Sequence, residues 1–156
     1  MKKEWDKTQD WFWEGNIQEK IANYMEITEG FKVTEKANTE SKKQGPDIKG
    51  EKDGKYRIVA IKGYPSDKYT ANFPGGKKGE KKRTNPNTQA RHWFSEALVE
   101  ILLRKCSDPN IEIALGFPYF KVYENLVERI TWLRSKVGIS CYFVKEAGEV
   151  IYLHSD

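Results

Sequence analysis

Gln44-Gly45-Pro46-Asp47-Ile48-Lys49-Gly50-Glu51-Lys52-Asp53-Gly54-Lys55-Tyr56-Arg57-Ile58-Val59-Ala60-Ile61-Lys62-Gly63-Tyr64-Pro65 is the stretch on which the fold of this chain turns. It reads as a β-hairpin. Asp53-Gly54 is a strong two-residue turn signal, because both central positions of a type I′ turn need φ > 0. A short strand on one side carries Asp47 and Ile48. The returning strand, Tyr56 to Lys62, is β-branched and mostly apolar. Side chains two apart on a strand share a face, so Ala60 and Lys62 point the same way. With Asp47 on the neighbouring strand, these positions can converge on one point.

Upstream of the hairpin, Met1 to Asp10 is charged and is expected to be a loose lead-in. Trp11-Phe12-Trp13 precede a helix that begins between Glu14 and Asn16 and runs to about Thr28, with Gly30 as its stop. Ile17, Ile21, Tyr24 and Met25 form its apolar stripe. At about 100° per residue, with Ile17 at zero, Glu14 falls at roughly 60°, Gln18 at roughly 100° and Glu19 at roughly 200°. Glu14 therefore aims at the body of the fold, Gln18 borders the same face, and Glu19 points to solvent. Glu14 is a candidate site residue; the plainer alternative is an acid at a helix N-terminus stabilising the dipole. Phe31 to Thr34 reads as a first strand.

Downstream, Tyr64 to Asn85 has no apolar periodicity, and loops of this length are usually functional or disordered. Thr84 or Asn85 can cap the next helix, with Pro86 at its first position. That helix runs to about Lys105, with Ala90, Trp93, Phe94, Ala97, Leu98, Ile101 and Leu102 apolar. Ile111 to Leu115 is a buried-type strand, Tyr119 to Lys136 a single amphipathic helix closed by Gly138, and Ile139 to Val144 with Glu149 to His154 a terminal hairpin. The order is αβββαβαββ, so the class is α/β or α+β, a mixed central sheet flanked by helices.

The 156 residues fit one domain with one core. A hydrophobic content of 38% with 13% aromatics fits a globular protein in water. No apolar run approaches the roughly 18 residues of a membrane span, and the N-terminus has no signal-peptide pattern, so a cytoplasmic protein with no membrane partner is expected. Cys106 and Cys141 lack metal-like spacing and read as free thiols.

Pro46-Asp47, then a hairpin, then a strand ending Ala60-Ile61-Lys62, resembles the PD-(D/E)XK nuclease superfamily, whose fold is restriction-endonuclease-like. The αβββαβ beginning of the chain resembles the core of that fold as well. The resemblance implies that Asp47 and the residue at position 60 bind a divalent metal, Mg²⁺ or Mn²⁺, and that Lys62 serves the attacking water. It also implies that Ile61 offers its backbone carbonyl and that the first helix supplies Glu14. Gln89-Ala90-Arg91-His92-Trp93 resembles a Gln-x-x-x-Tyr motif that places its Gln beside the active site, which makes Gln89 a further candidate.

Position 60 departs from the pattern: it is Ala, with no side-chain oxygen. Three explanations follow. The chain is a nuclease made inactive by a Glu-to-Ala replacement, which an isolated Ala within an otherwise intact strand favours. It is a naturally inactive nucleic-acid-binding module. Or the acid has moved, to Glu14 or Glu51. With Asp47 alone, or with Glu14 added, metal is expected to bind weakly. The segment after the strand holds Lys68, Lys77, Lys78, Lys81, Lys82, Arg83 and Arg91 against Glu80, a cluster suited to phosphate backbones and hence to DNA; a solvated charged loop is the plain alternative. Phe73, Tyr64 and Tyr69 can stack on bases or pin this segment down. The spacing of Gly-Gly-Lys-Lys-Gly does not fit a nucleotide-binding loop. Cutting two strands wants two sites, so the resemblance leaves a homodimer open.

Overall fold

A computed structural model describes residues 6–37, 45–66, 81 and 85–155. Among these, a six-stranded sheet has its strands in chain order. The elements are α1 (Glu14–Ile27), β1 (Lys32–Lys36), β2 (Ile48–Lys52), β3 (Lys55–Ile61), α2 (Pro86–Ser107), β4 (Glu112–Pro118), α3 (Lys121–Arg129), α4 (Thr131–Val137), β5 (Ile139–Val144) and β6 (Val150–Leu153). β1, β2 and β3 pair antiparallel; β3, β4 and β5 are parallel; β6 returns antiparallel to β5. The fold is α+β, with a mixed sheet covered on both faces.

The hairpin forms where the sequence places it. Asp53 and Gly54 take φ of 52° and 76°, the left-handed pair that a type I′ turn demands. The strand it returns on is buried from Ile58 to Ile61, as expected of a strand covered on both sides. Successive residues of β3 divide between two cores. Val59 and Ile61 meet Ile17, Ile21 and Met25 of α1. Ile58 and Ala60 meet Ala90, Phe94, Ala97 and Ile101 of α2. The layers are therefore α1, sheet, then α2 with α3. Asn85 caps α2 by accepting from the Asn87 amide, and Pro86 follows at the first helical position.

One expectation needs correction. Tyr119 to Lys136 is not one helix. It breaks at Ile130 (φ −102°, ψ 20°), so the order gains a fourth helix. Ile130 and Thr131 are both β-branched, and the Thr131 hydroxyl donates to the Glu128 carbonyl at 2.6 Å, competing with the helical ladder. In the lead-in, Lys7–Gln9 form a short 3₁₀ turn capped by Asp6. Residues 1–5 lie outside the described set. Cys106 and Cys141 are free, as expected. Within the described residues no helix is long and apolar enough to cross a membrane.

Candidate active site

The site is built at the C-terminal end of β3. Ile48 pairs with Val59; carrying the register on places Asp47 opposite Ala60 and Pro46 opposite Ile61. The ladder changes character there. Pro46 has no N–H to donate to the Ile61 carbonyl. The Ile61 N–H donates instead to the Asp47 side chain, reaching Oδ2 at 2.6 Å. On the other edge, the Lys62 N–H donates to the Gly116 carbonyl of β4 at 3.1 Å. A planar trans peptide points its C=O opposite its N–H, so the Ile61 carbonyl faces the β2 side, where Asp47 sits. The Pro-Asp pair thus ends the β2 ladder and turns a carboxylate onto the Ile61 N–H, on the side that the Ile61 carbonyl also faces.

Lys62 lies on the same face of β3 as Ala60, toward α2. Its Nζ pairs with Glu96 of α2 at 3.2 Å. Ala60 is 2% exposed and packed in the α2 core. At that position the site holds a methyl group directly opposite Asp47.

Glu14 arrives from the other side of the sheet by a close backbone approach. The Tyr64 N–H donates to the Phe12 carbonyl at 3.0 Å, so the exit of β3 adds to the turn before α1. Gly63 makes the approach possible. A Cβ there would lie 2.5 Å from Phe12 O and 2.7 Å from Glu14 N. The Gly63 carbonyl accepts from the Tyr123 hydroxyl at 2.6 Å, which fixes the segment from the α3 side.

Electrostatics join these groups. Burial raises Glu14 to about 7; the Asp47 charge adds to this, Lys62 opposes it, and Glu100 raises it further. Asp47 is raised by burial, against the Ile61 hydrogen bond and the charges of Lys62 and Arg104, which lower it. Glu100 is raised by burial and then by Asp47, with Arg104 and Lys62 opposing. Three carboxylates thus share one desolvated, charge-coupled end of the sheet.

Glu96, Glu100 and Arg104 were not among the sequence candidates. The signal was present. Gln89, Trp93, Glu96, Glu100 and Arg104 recur at helical spacing and form a stripe beside the buried one of Ala90, Phe94, Ala97 and Ile101. Gln89 is on that stripe, in the first turns of α2. Gln18 also gains a role: its amide donates to the Ala37 carbonyl at 2.8 Å, and the Ala37 N–H donates to the Asp47 carbonyl at 2.8 Å. Glu51 lies four residues along β2 from Asp47, about 13 Å at strand rise.

Of the basic positions, Lys81 and Arg91 are exposed. Lys68, Lys77, Lys78, Lys82 and Arg83, with Tyr69 and Phe73, lie outside the described residues. Tyr64 is pinned: its ring stacks on Phe120 at 4.1 Å and its hydroxyl donates to Asn87 at 2.7 Å. His92 is exposed, and His154 rests edge-on against Tyr152. Among the described residues no group of three or more His, Cys, Asp or Glu is disposed to hold a metal ion.

A scan of protein-family models, a search of curated proteins and a search of solved structures each find no match to this chain.

Proposed function

We propose that this chain is a nuclease domain of the PD-(D/E)XK type, with the restriction-endonuclease-like fold, built to hydrolyse DNA phosphodiester bonds with Mg²⁺ or Mn²⁺ and held inactive by Ala60. One observation carries the proposal: the Asp47 carboxylate is hydrogen-bonded across the end of β3, beside Ala60 and Lys62, with Glu14 electrostatically coupled to both Asp47 and Lys62. The strand order 1-2-3-4-5-6, with the hairpin leading into a parallel crossover, supports the restriction-endonuclease-like core.

The donors suit a hard cation. Asp47, the Ile61 carbonyl and Glu14 would offer it oxygen, and Mg²⁺ is usually held by one or two carboxylates with waters completing its shell. With no oxygen at position 60 the set is short by one ligand. When bound, the ion supplies polarisation of the phosphate and an acidified water. The remaining work falls to side chains of this chain. Lys62 presents a mobile point charge to the water or to the developing negative charge on phosphate. Glu96 holds the Lys62 ammonium until substrate competes for it. Glu14, raised to about 7 by burial, would have to give up its proton to hold a cation, so metal binding there would be favoured by higher pH.

The test is restoration. Ala60→Glu should give Mg²⁺-dependent cleavage of duplex DNA, which Ala60→Glu with Lys62→Ala should lose. No cleavage by Ala60→Glu, with folding and DNA binding intact, would refute the enzyme and leave a binding module.

A further inference from the structure

We propose that the groove between α2 and α3 is a track for a nucleic-acid backbone, with Arg91, Lys121 and Arg129 as its phosphate contacts. This deepens the nuclease proposal by naming where the substrate strand runs beyond the reacting phosphate. The groove has a volume of about 500 Å³, and its polar lining comprises Asn87, Arg91, Lys121, Asn125, Glu128 and Arg129. Three cations face one carboxylate in it.

Three observations point to an anionic polymer. First, the cations are uncommitted. Lys36, Arg57, Lys62 and Lys145 each pair with a carboxylate. Arg91, Lys121 and Arg129 have no side-chain partner among the described residues. Second, the donors are in line. Lys121, Asn125 and Arg129 are spaced four apart on α3, which sets a donor about every 6 Å along the helix. That repeat suits a strand of regularly spaced phosphates better than a single small anion. The asparagines add neutral donors, which serve phosphate and sugar oxygens and have less to offer an acidic side-chain patch alone. Third, the groove adjoins the candidate active site. Asn87 accepts from the hydroxyl of Tyr64, two residues beyond Lys62, and Tyr64 stacks on Phe120, the residue before Lys121. The stacked rings of Tyr64 and Phe120 therefore link the end of the Lys62 strand to the groove.

The experiment uses the Ala60 chain in chelator, so binding is read without cleavage. Affinity for a short fluorescent duplex DNA, a single strand and polyglutamate is measured against salt. Lys121→Glu and Arg129→Glu should each weaken duplex binding, and together should reduce the salt slope by about 0.9 for each phosphate no longer neutralised. Lys55→Glu is the control. It changes net charge equally but sits at the opposite end of β3, and should leave the slope unchanged. Equal weakening in all three variants, or polyglutamate bound as tightly as DNA, would overturn the proposal. Weakening on the single strand alone would keep the track and assign it to unpaired nucleic acid. The two proposals fail separately. Cleavage by Ala60→Glu that survives both reversals sinks the track only, and groove binding without any cleavage sinks the nuclease only.

Discussion

Replacing Glu14 by Gln should remove most of the pH dependence of this protein's stability between pH 5 and pH 8. Glu14 has a pKa of about 7 in the fold, against 4.5 for an unburied glutamate. At ~1.36 kcal/mol per pKa unit that difference amounts to about 3 kcal/mol. The sign follows from proton counting. Between the two values the folded state binds the proton that the unfolded state has released, so stability falls as pH rises. The stabilising contribution is complete below about 4.5 and is lost as pH climbs through about 7. For a domain of this size each kcal/mol moves Tm by about 2–4 °C, so the metal-free protein should lose on the order of 10 °C between pH 5 and pH 8. Asp47 and Glu100 are raised by the same burial and leave a residual slope in Glu14→Gln. The assay is thermal unfolding at matched ionic strength across that range, in chelator. A flat profile for the parent chain, or a Glu14→Gln profile as steep as the parent's, would refute the coupling of Glu14 to the site.

Two further substitutions test the frame. Gly63→Ala puts a methyl group within 2.7 Å of backbone atoms of Phe12 and Glu14, which cannot rotate away; a loss of about 1–3 kcal/mol in urea unfolding is expected, together with a shallower pH profile as Glu14 is pushed out, and a neutral result would refute the close approach. Arg57→Ala removes a guanidinium that holds Glu29 at 2.8 Å, Glu112 at 2.9 Å and the Tyr142 hydroxyl at 2.6 Å. Breaking a largely buried pair costs about 3–5 kcal/mol; the variant should unfold at lower denaturant yet, below its transition, bind DNA like the parent, because Arg57 lies far down β3 from Lys62.

Much of the architecture was legible because its signals are local. Asp53-Gly54 can make few turns other than the one observed, and Asn85-Pro86 is a helix start by capping chemistry alone. The β-branched apolar run of β3 and the period-3.6 apolar pattern of α2 placed both elements to within a few residues. The break at Ile130 was hidden because its cause is a competition, a threonine hydroxyl against the helical ladder, which apolar periodicity does not register. The site was half legible. Asp47 and Lys62 were named from the family resemblance and the shared face of the hairpin, and Glu14 from a helical wheel. Glu96 and Glu100 shared a stripe with Gln89, but a polar stripe on a helix reads as solvent-facing until something polar packs opposite it.

From residues alone come the hairpin, the alternation of faces along β3 and the absence of a side-chain oxygen at position 60. These need only bond geometry and nearest neighbours. Which carboxylates meet Lys62, how far burial raises Glu14, and where uncommitted cations gather between α2 and α3 were decided by the tertiary structure. Those outcomes depend on desolvation and on distances between residues far apart in the chain, and such quantities come into being only when helices from both faces close over the sheet.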